Sequence, residues 1–267
     1  MQKTTAVLFL LLCVLVKQLS AQADSTGYYT AADGNRVYYE VRGNGMPVVL
    51  VHGFTGTAEG WKRSALYNDL LSGGYTVIIV DLRGNGKSDK PHTAAAYAND
   101  AEAKDIMGIV TRLGIKQYEV AGYSRGSIIA ARLLVLDKRV HKAVLGGMGA
   151  DFTNPNWPRR ILFYRALSGD TTGVLDALLK RIKETGLDQQ ALAMQQKEQP
   201  STSKQALAKV KQPVLVLCGS EDEDNGSAAE LAKLIPRAEY KTVPGNHGST
   251  LGTAAYSAEV ISFFKKP

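Results

Sequence analysis

The sequence predicts an α/β fold in which a mainly parallel, eight-stranded sheet carries helices on both faces. Short apolar runs, which are typical of buried strands, alternate along the chain with segments whose apolar residues recur at helical spacing. Such alternation is typical of parallel sheets, because each crossover helix covers one face of the sheet. A chain of 267 residues that is 45% hydrophobic can bury this core without metals or disulfides, so we expect one domain over residues 24–267.

The predicted elements follow one another in a regular order. A first hairpin turns at Asp33-Gly34-Asn35, since these residues favour tight turns. Apolar runs predict the later strands near residues 48–51, 76–80, 117–121, 140–145, 214–217 and 238–243. Helical spacing predicts helices over residues 61–71, 99–113, 127–136, 227–234 and 251–264.

Residues 152–212 break this alternation. The segment contains no apolar strand, and its helix-prone stretches lie near 160–167, 173–184 and 187–198. We interpret it as a helical cap over the carboxyl ends of the strands, where it would exclude water and select substrate. Three bulky side chains, Trp157, Phe163 and Tyr164, are candidates for a substrate pocket. The alternative is that they simply pack the cap against the core.

Gly122-Tyr123-Ser124-Arg125-Gly126 lies between a predicted strand and a predicted helix. A sharp strand-to-helix turn of this kind forces the serine into an unfavourable backbone conformation and exposes its hydroxyl. A Cβ two residues before or after the serine would collide with neighbouring backbone, so glycine is the residue that fits there. The pattern predicts Ser124 as a nucleophile, and the alternative is an ordinary strand-to-helix loop.

Candidate partners for this serine follow in the order acid, then histidine. Asp222 comes just after the strand near 214–217, at the carboxyl end where open α/β sheets bind ligands. His247 lies in a glycine-flanked turn after the next strand, and we predict it as the general base. Asp151 follows the preceding strand and is the alternative acid. The other histidines are weaker candidates, since they lie at a strand end or in polar loops: His52, His92 and His141.

Several of these segments resemble the α/β-hydrolase superfamily, and the resemblance runs from about residue 28 to residue 264. The matching pieces are the serine turn and residues 48–54, 81–88, 219–222 and 245–247. The resemblance implies the α/β-hydrolase fold with a small helical cap. It also implies that the backbone N–H groups of Phe54 and Arg125 form an oxyanion hole. Since the donors are backbone groups, the two side chains can vary, and we expect them at the wall and rim of the pocket. Asp81 and Arg83 are expected to hold a structural loop.

The resemblance further implies acyl transfer through a covalent intermediate on the predicted triad. A serine at this turn argues against the haloalkane dehalogenase and epoxide hydrolase branches, which place aspartate there. We therefore expect a carboxylesterase that acts on small or medium esters, with no cofactor and no metal. Alternatives on the same residues are a cofactor-free perhydrolase, a hydrolase of carbon–carbon bonds and a ligand-binding member without turnover.

Residues 1–23 predict a secretory signal peptide. Lys3 begins a short positive region, residues 6–16 form an apolar run, and Ala21-Gln22-Ala23 offers small residues at the cleavage site. The run is shorter than the roughly 20 residues that a membrane-spanning helix needs. Cys13 is not preceded by a small residue, which argues against a lipoprotein. We expect the mature chain to begin at Asp24, in the periplasm or outside the cell.

The charge of the chain is concentrated in the predicted cap. The formal net charge is +7, and removal of Lys3 and Lys17 leaves +5. Residues 152–212 hold ten Lys or Arg against five Asp or Glu. A basic cap could attract acidic substrates or an anionic surface, and the alternative is a solvated helix face. No basic and aromatic pattern predicts nucleic-acid binding. Cys218 lies in a predicted strand as a buried, inert thiol.

Overall fold

Eight strands form one sheet in the computed structural model, which describes residues 24–170 and 173–267. The strands are β1 (Ser25–Thr30), β2 (Arg36–Arg42), β3 (Pro47–Val51), β4 (Thr76–Val80), β5 (Tyr118–Tyr123), β6 (Val140–Gly146), β7 (Val214–Gly219) and β8 (Ala238–Val243). Their order across the sheet is β1-β2-β4-β3-β5-β6-β7-β8. β2 is antiparallel to both of its neighbours, and the other strands pair in parallel. The predicted α/β architecture is confirmed, while the predicted signal peptide lies outside the described residues.

The helices of the main body are α1 (Ala58–Lys62), α2 (Ala65–Ser72), α3 (Ala101–Arg112), α4 (Arg125–Leu136), α9 (Ala228–Lys233) and α10 (Ala254–Lys265). The helix expected over residues 61–71 is instead two helices. Ser64 divides them: its backbone is extended, and its hydroxyl accepts a hydrogen bond from the Tyr67 backbone N–H. A serine in this position caps the second helix, and this local bond outweighs the continuous apolar pattern.

The helices cover the sheet on both faces, as the strand pattern requires. Alternate residues of a strand point to opposite faces. Val49 and Val51 of β3 therefore pack with α3, α4 and α9, while Val48 and Leu50 pack with α1, α2 and α10. The central strands are buried on both sides, which explains why they read as continuous apolar runs.

Four helices form the cap between β6 and β7. They are α5 (Pro158–Leu167), α6 (Asp176–Glu184), α7 (Gln189–Lys197) and α8 (Lys204–Leu207). The cap has a small apolar cluster of its own, which includes Leu167, Ile182 and Leu192. Gln195 of α7 ties the cap to the body, because its Nε2 donates a hydrogen bond of 2.7 Å to the Arg83 carbonyl.

Asp81 and Arg83 hold the loop after β4. The Arg83 guanidinium is buried and donates hydrogen bonds of 2.7 and 2.6 Å to the Asp105 carboxylate. It also contacts Asp33 in the first hairpin at 2.6 Å. Asp81 Oδ1 accepts from the Ala58 N–H at 2.6 Å, which ties the start of α1 to the end of β4. Both side chains therefore fix the loops at the carboxyl end of the sheet.

Glu119 is a buried carboxyl group near the opposite end of the sheet. Its side chain is 2% exposed, and within the described residues its Oε2 has no hydrogen-bond partner. His141 Nδ1 lies 3.8 Å from Glu119 Oε1, and His141 is part of β6 rather than of the loop expected for it. Burial raises the pKa of Glu119 to about 7, although the nearby Lys142 acts in the opposite direction.

Glu119→Gln should stabilise the protein at neutral pH. The pKa of Glu119 is higher in the folded state than its ordinary value of 4.5, so the unfolded chain loses this proton first as the pH rises. As the pH rises from 4.5 to about 7, Glu119 therefore lowers the free energy of unfolding progressively. Above pH 7 the full loss is about 1–3 kcal/mol. Urea unfolding at pH 5 and pH 8 should show that the substitution raises the free energy of unfolding more at pH 8 than at pH 5. Exposed Glu184→Gln is the control, and equal pH dependence in all three proteins would contradict the expectation.

Candidate active site

Ser124 lies in a strained turn between β5 and α4. Its backbone has φ 53° and ψ −124°, a conformation that L-residues rarely adopt and that costs about 1–3 kcal/mol. The flanking glycines make the turn possible. A Cβ on Gly122 would lie 2.3 Å from the Gly126 carbonyl oxygen, and a Cβ on Gly126 would lie 2.1 Å from that of Val51. Both positions exclude any side chain, so the glycines have the steric role that the sequence predicts.

Three predicted residues form one hydrogen-bonded chain at the carboxyl end of the sheet. His247 Nε2 lies 2.9 Å from Ser124 Oγ, and His247 Nδ1 lies 2.9 Å from Asp222 Oδ2. The Asp222 carboxylate is 2% exposed and, when ionised, can only accept hydrogen bonds. It therefore orients His247 with the proton on Nδ1, which leaves Nε2 free to accept the serine proton. This arrangement of nucleophile, base and acid can carry out acyl transfer.

The turn that carries His247 is fixed by neighbouring groups. The Tyr123 hydroxyl donates a hydrogen bond of 2.7 Å to the His247 carbonyl, and the two rings lie 5.4 Å apart. Asn246 Oδ1 accepts from the N–H of Gly248 and of Ser249, both at 3.1 Å. The imidazole is therefore held in place by β5 and by its own loop.

Asp151, the alternative acid, lies elsewhere. Its carboxyl group packs against the loop after β7, since a Cβ on Gly226 would lie 2.4 Å from Asp151 Cγ. The hydrogen bonds of the His247 ring go to Asp222 and Ser124. Within the described residues, the set that could hold a metal ion is Asp222, Asp224 and His247. Both ring nitrogens of His247 are already engaged there, which leaves no free nitrogen for a metal.

The loop after β3 runs beside the serine. A Cβ on Gly53 would lie only 3.3 Å from Ser124 Cβ, and Phe54 lines the same cavity as Ser124. His52 holds this loop: its Nδ1–H donates to the Gly53 carbonyl at 2.7 Å, and its Nε2 accepts from the Leu82 N–H at 3.0 Å. Burial lowers the pKa of His52, which favours the neutral ring. A neutral ring can donate one of these hydrogen bonds and accept the other. Sequence reasoning did not assign this role.

The side chain of Arg125 is not at the pocket rim, so that expectation is wrong. It is buried, and its Nη1 donates to Glu102 Oε1 of α3 at 2.8 Å. Its Nη2 also lies 3.4 Å from the Gln195 carbonyl of α7. The Arg125 side chain is thus directed to these two helices, and its guanidinium joins the body to the cap. Arg125 still borders the cavity, where its backbone lies next to Ser124.

A cavity of about 520 Å³ opens in front of Ser124. Phe54, Trp157 and Phe163 line it, and the rings of Phe54 and Phe163 meet edge to face at 5.9 Å. Tyr164, expected in the same wall, packs instead into the apolar cluster of the cap. Neighbouring residues of a helix point in different directions, and in α5 Phe163 faces the cavity while Tyr164 does not. Four arginines that were not singled out from the sequence also line it: Arg63, Arg159, Arg160 and Arg181.

Two smaller expectations concern Cys218 and the membrane. Cys218 is a buried free thiol in β7, and burial raises its pKa to about 11, which disfavours the reactive thiolate. Among the helices of residues 24–170 and 173–267, none has the length and apolarity needed to cross a membrane.

Comparison with known proteins gives the same architecture. A family model described as the alpha/beta hydrolase fold matches residues 46–167. A non-heme chloroperoxidase of Streptomyces lividans is 36% identical over 123 residues, which cover 45% of this chain and 43% of that protein. The chain thus spans less than half the length of this relative.

Two solved structures show the fold over nearly the whole chain. An esterase (EaEST) from Exiguobacterium antarcticum superposes with a TM-score of 0.76 at 22% identity, covering 91% of this chain and all of the other. An enol-lactonase from Burkholderia xenovorans superposes with a TM-score of 0.74 at 21% identity, covering 90% of this chain and all of the other. The family model, these likenesses and the strained serine turn agree. The chain has the α/β-hydrolase fold, and residues 46–167 match the family model of that fold.

Proposed function

We propose that the protein is a serine hydrolase that cleaves small or medium carboxylic esters through an acyl-enzyme on Ser124. The observation that carries the proposal is the hydrogen-bonded chain from Asp222 through His247 to Ser124, at the base of a cavity. A solved neighbour described as an esterase supports it through the shared fold.

The proposed reaction uses each group where it lies. His247 Nε2 takes the Ser124 proton as the hydroxyl attacks the ester carbonyl, and Asp222 stabilises the resulting imidazolium. The backbone N–H groups of Phe54 and Arg125 would hold the oxyanion, and loss of one such donor typically raises the barrier by about 3 kcal/mol. His247 then gives the proton to the leaving alcohol. Water repeats the sequence on the acyl-enzyme and releases the acid.

A chain-length series tests the proposal and its substrate size. On p-nitrophenyl esters from acetate to palmitate, we expect kcat/KM to rise over the first carbons and to peak between about two and six. Each methylene that enters the cavity contributes about 0.8 kcal/mol, until Trp157 and Phe163 block further growth. Phe163→Ala should move the peak to longer chains. Activity that still climbs at palmitate would contradict a closed pocket and indicate a lipase-like groove.

A second candidate function is peracid formation at the same serine. The likeness to a relative named non-heme chloroperoxidase favours it. Hydrogen peroxide, in place of water, would attack the acyl-enzyme and release a peracid together with free Ser124. Adding peroxide to the ester assay separates the two: a peracid yield that rises with peroxide while acid yield falls supports this candidate. An unchanged acid yield supports ester hydrolysis alone.

A further inference from the structure

We propose that the substrate of this site carries a carboxylate, bound by unpaired arginines in the cavity wall. This inference rests on the proposed ester hydrolysis at Ser124 and names the kind of ester that the cavity accepts. It starts from the charge of the lining: five arginines border the cavity, and no aspartate or glutamate among the described residues does so.

One of these five arginines is neutralised within the protein. Arg125 forms a buried ion pair with Glu102, so its charge is not available to a ligand. The remaining four, Arg63, Arg159, Arg160 and Arg181, come from the α1–α2 connection and from α5 and α6 of the cap. They therefore surround the cavity from the body and from the cap.

Among these four side chains, only Arg159 has a carboxylate within 4.0 Å in the described residues. Arg159 lies 3.9 Å from Asp224, at the limit of an ion pair, and stacks 5.1 Å from the centre of the Phe163 ring. For Arg63, Arg160 and Arg181, no carboxylate of the described chain lies within 4.0 Å. Residues 1–23 and 171–172 contain no aspartate or glutamate, so they offer no further partner.

Arg160 is partly buried at the edge of the cavity. Its guanidinium donates to the carbonyls of Lys197 at 2.9 Å and of Pro155 at 2.7 Å. These neutral partners position the side chain and leave its charge uncompensated. Its Nε is buried without a hydrogen-bond partner in the described residues. Away from the cavity, three arginines are each paired with an aspartate, namely Arg132, Arg139 and Arg165, whereas exposed Arg112 and Arg237 have no carboxylate partner in the described residues.

Uncompensated cations that surround a concave, partly apolar space attract anions strongly. The low-dielectric walls focus the field into the cavity, and a guanidinium can bind a carboxylate through two parallel hydrogen bonds. Three of the ten basic residues of the cap thus line the site, namely Arg159, Arg160 and Arg181, so the basic excess is not only a solvated surface. A small ester that also carries a free carboxylate fits both this charge and the cavity volume of about 520 Å³.

Matched esters test the inference. The anionic p-nitrophenyl hemiglutarate and the neutral p-nitrophenyl valerate have acyl chains of the same length. We expect the wild-type protein to favour the anionic ester by at least about tenfold in kcat/KM, and salt to reduce this preference. A second pair, 4-acetoxybenzoate and its methyl ester, places the carboxylate on the alcohol side. A preference in either pair supports the proposal and tells which half of the substrate carries the charge.

Charge-removing variants link the preference to the arginines. Arg181→Gln and, independently, Arg63→Gln should lower the ratio of anionic to neutral kcat/KM about tenfold. Lys180→Gln is the matched control: it removes a charge from the neighbouring position of α6, where Lys180 pairs with Glu184 on the surface, and should leave the ratio unchanged. A ratio near one in the wild type, or a ratio that neither arginine variant changes, would overturn the inference while ester hydrolysis stands.

A binding measurement keeps the inference testable if ester hydrolysis itself fails. Glutarate titrated into the wild-type protein in a calorimeter should bind, and Arg181→Gln should weaken this binding about tenfold. Inorganic phosphate is titrated in parallel. Binding of phosphate without binding of glutarate, or of neither anion, would overturn the carboxylate assignment. If the wild-type protein binds glutarate but shows neither labelling of Ser124 nor ester turnover, only the proposed function is overturned.

Discussion

Ser124→Ala should abolish covalent labelling by a fluorophosphonate and lower ester turnover by roughly 10⁴- to 10⁶-fold. The nucleophile is lost, while the flanking glycines and the backbone of the turn stay in place. The fold should therefore persist, and circular dichroism melting checks that it does. Labelling followed by intact mass measures the first effect, and p-nitrophenyl butyrate hydrolysis measures the second.

Ser127→Ala is the matched control for this experiment. Ser127 lies one helical turn away, is fully buried, and donates to the Gly146 carbonyl at 2.7 Å. Its loss should leave labelling intact, since the reagent cannot reach it. A Ser124→Ala protein that is still labelled, at any other residue, would show that the nucleophile lies elsewhere.

Asp222→Asn should lower kcat by about 10⁴-fold. The carboxylate accepts the Nδ1–H of His247 at 2.9 Å and favours the tautomer whose Nε2 can take the serine proton. An amide can donate to Nδ1 and thereby stabilise the wrong tautomer. Turnover at saturating p-nitrophenyl butyrate measures the loss, and the variant should melt close to the wild-type temperature.

Asp151→Asn and Asp224→Asn are the controls for the acid. Asp151 packs against Gly226, away from the imidazole, and Asp224 is exposed on the same loop as Asp222. Each substitution should change kcat far less than Asp222→Asn does. If Asp151→Asn were the crippling change, the acid would follow β6 and the assignment of Asp222 would be wrong.

The features that sequence analysis predicts well are local ones. The strand bounds follow from apolar runs, and the role of Gly122 and Gly126 follows from the sterics of one sharp turn. The positions of Asp222 and His247 follow from strand order, because parallel strands end at the same edge of the sheet. All of these depend on residues close together in the chain or on a topology with few alternatives.

The features that escaped prediction depend on distant partners. The Arg125 side chain turns inward because Glu102, 23 positions earlier on another helix, is buried beside it. α5 shows almost no apolar periodicity, so nothing in its sequence separates Phe163, which faces the cavity, from Tyr164, which does not. The basic excess of the cap can be counted in the sequence, but which arginines point inward depends on how α5 and α6 pack.

The backbone at Ser124 makes folding and chemistry favour different residues at one position. Glycine adopts φ 53° without steric cost, whereas the serine there destabilises the folded chain. Laboratory evolution of this protein for heat resistance alone would therefore tend to enrich glycine at position 124. If Ser124 is the nucleophile, such clones would be more stable to heat but inactive. Any stability screen on this chain needs a catalytic readout beside it, because one available gain lies at the residue that the reaction requires.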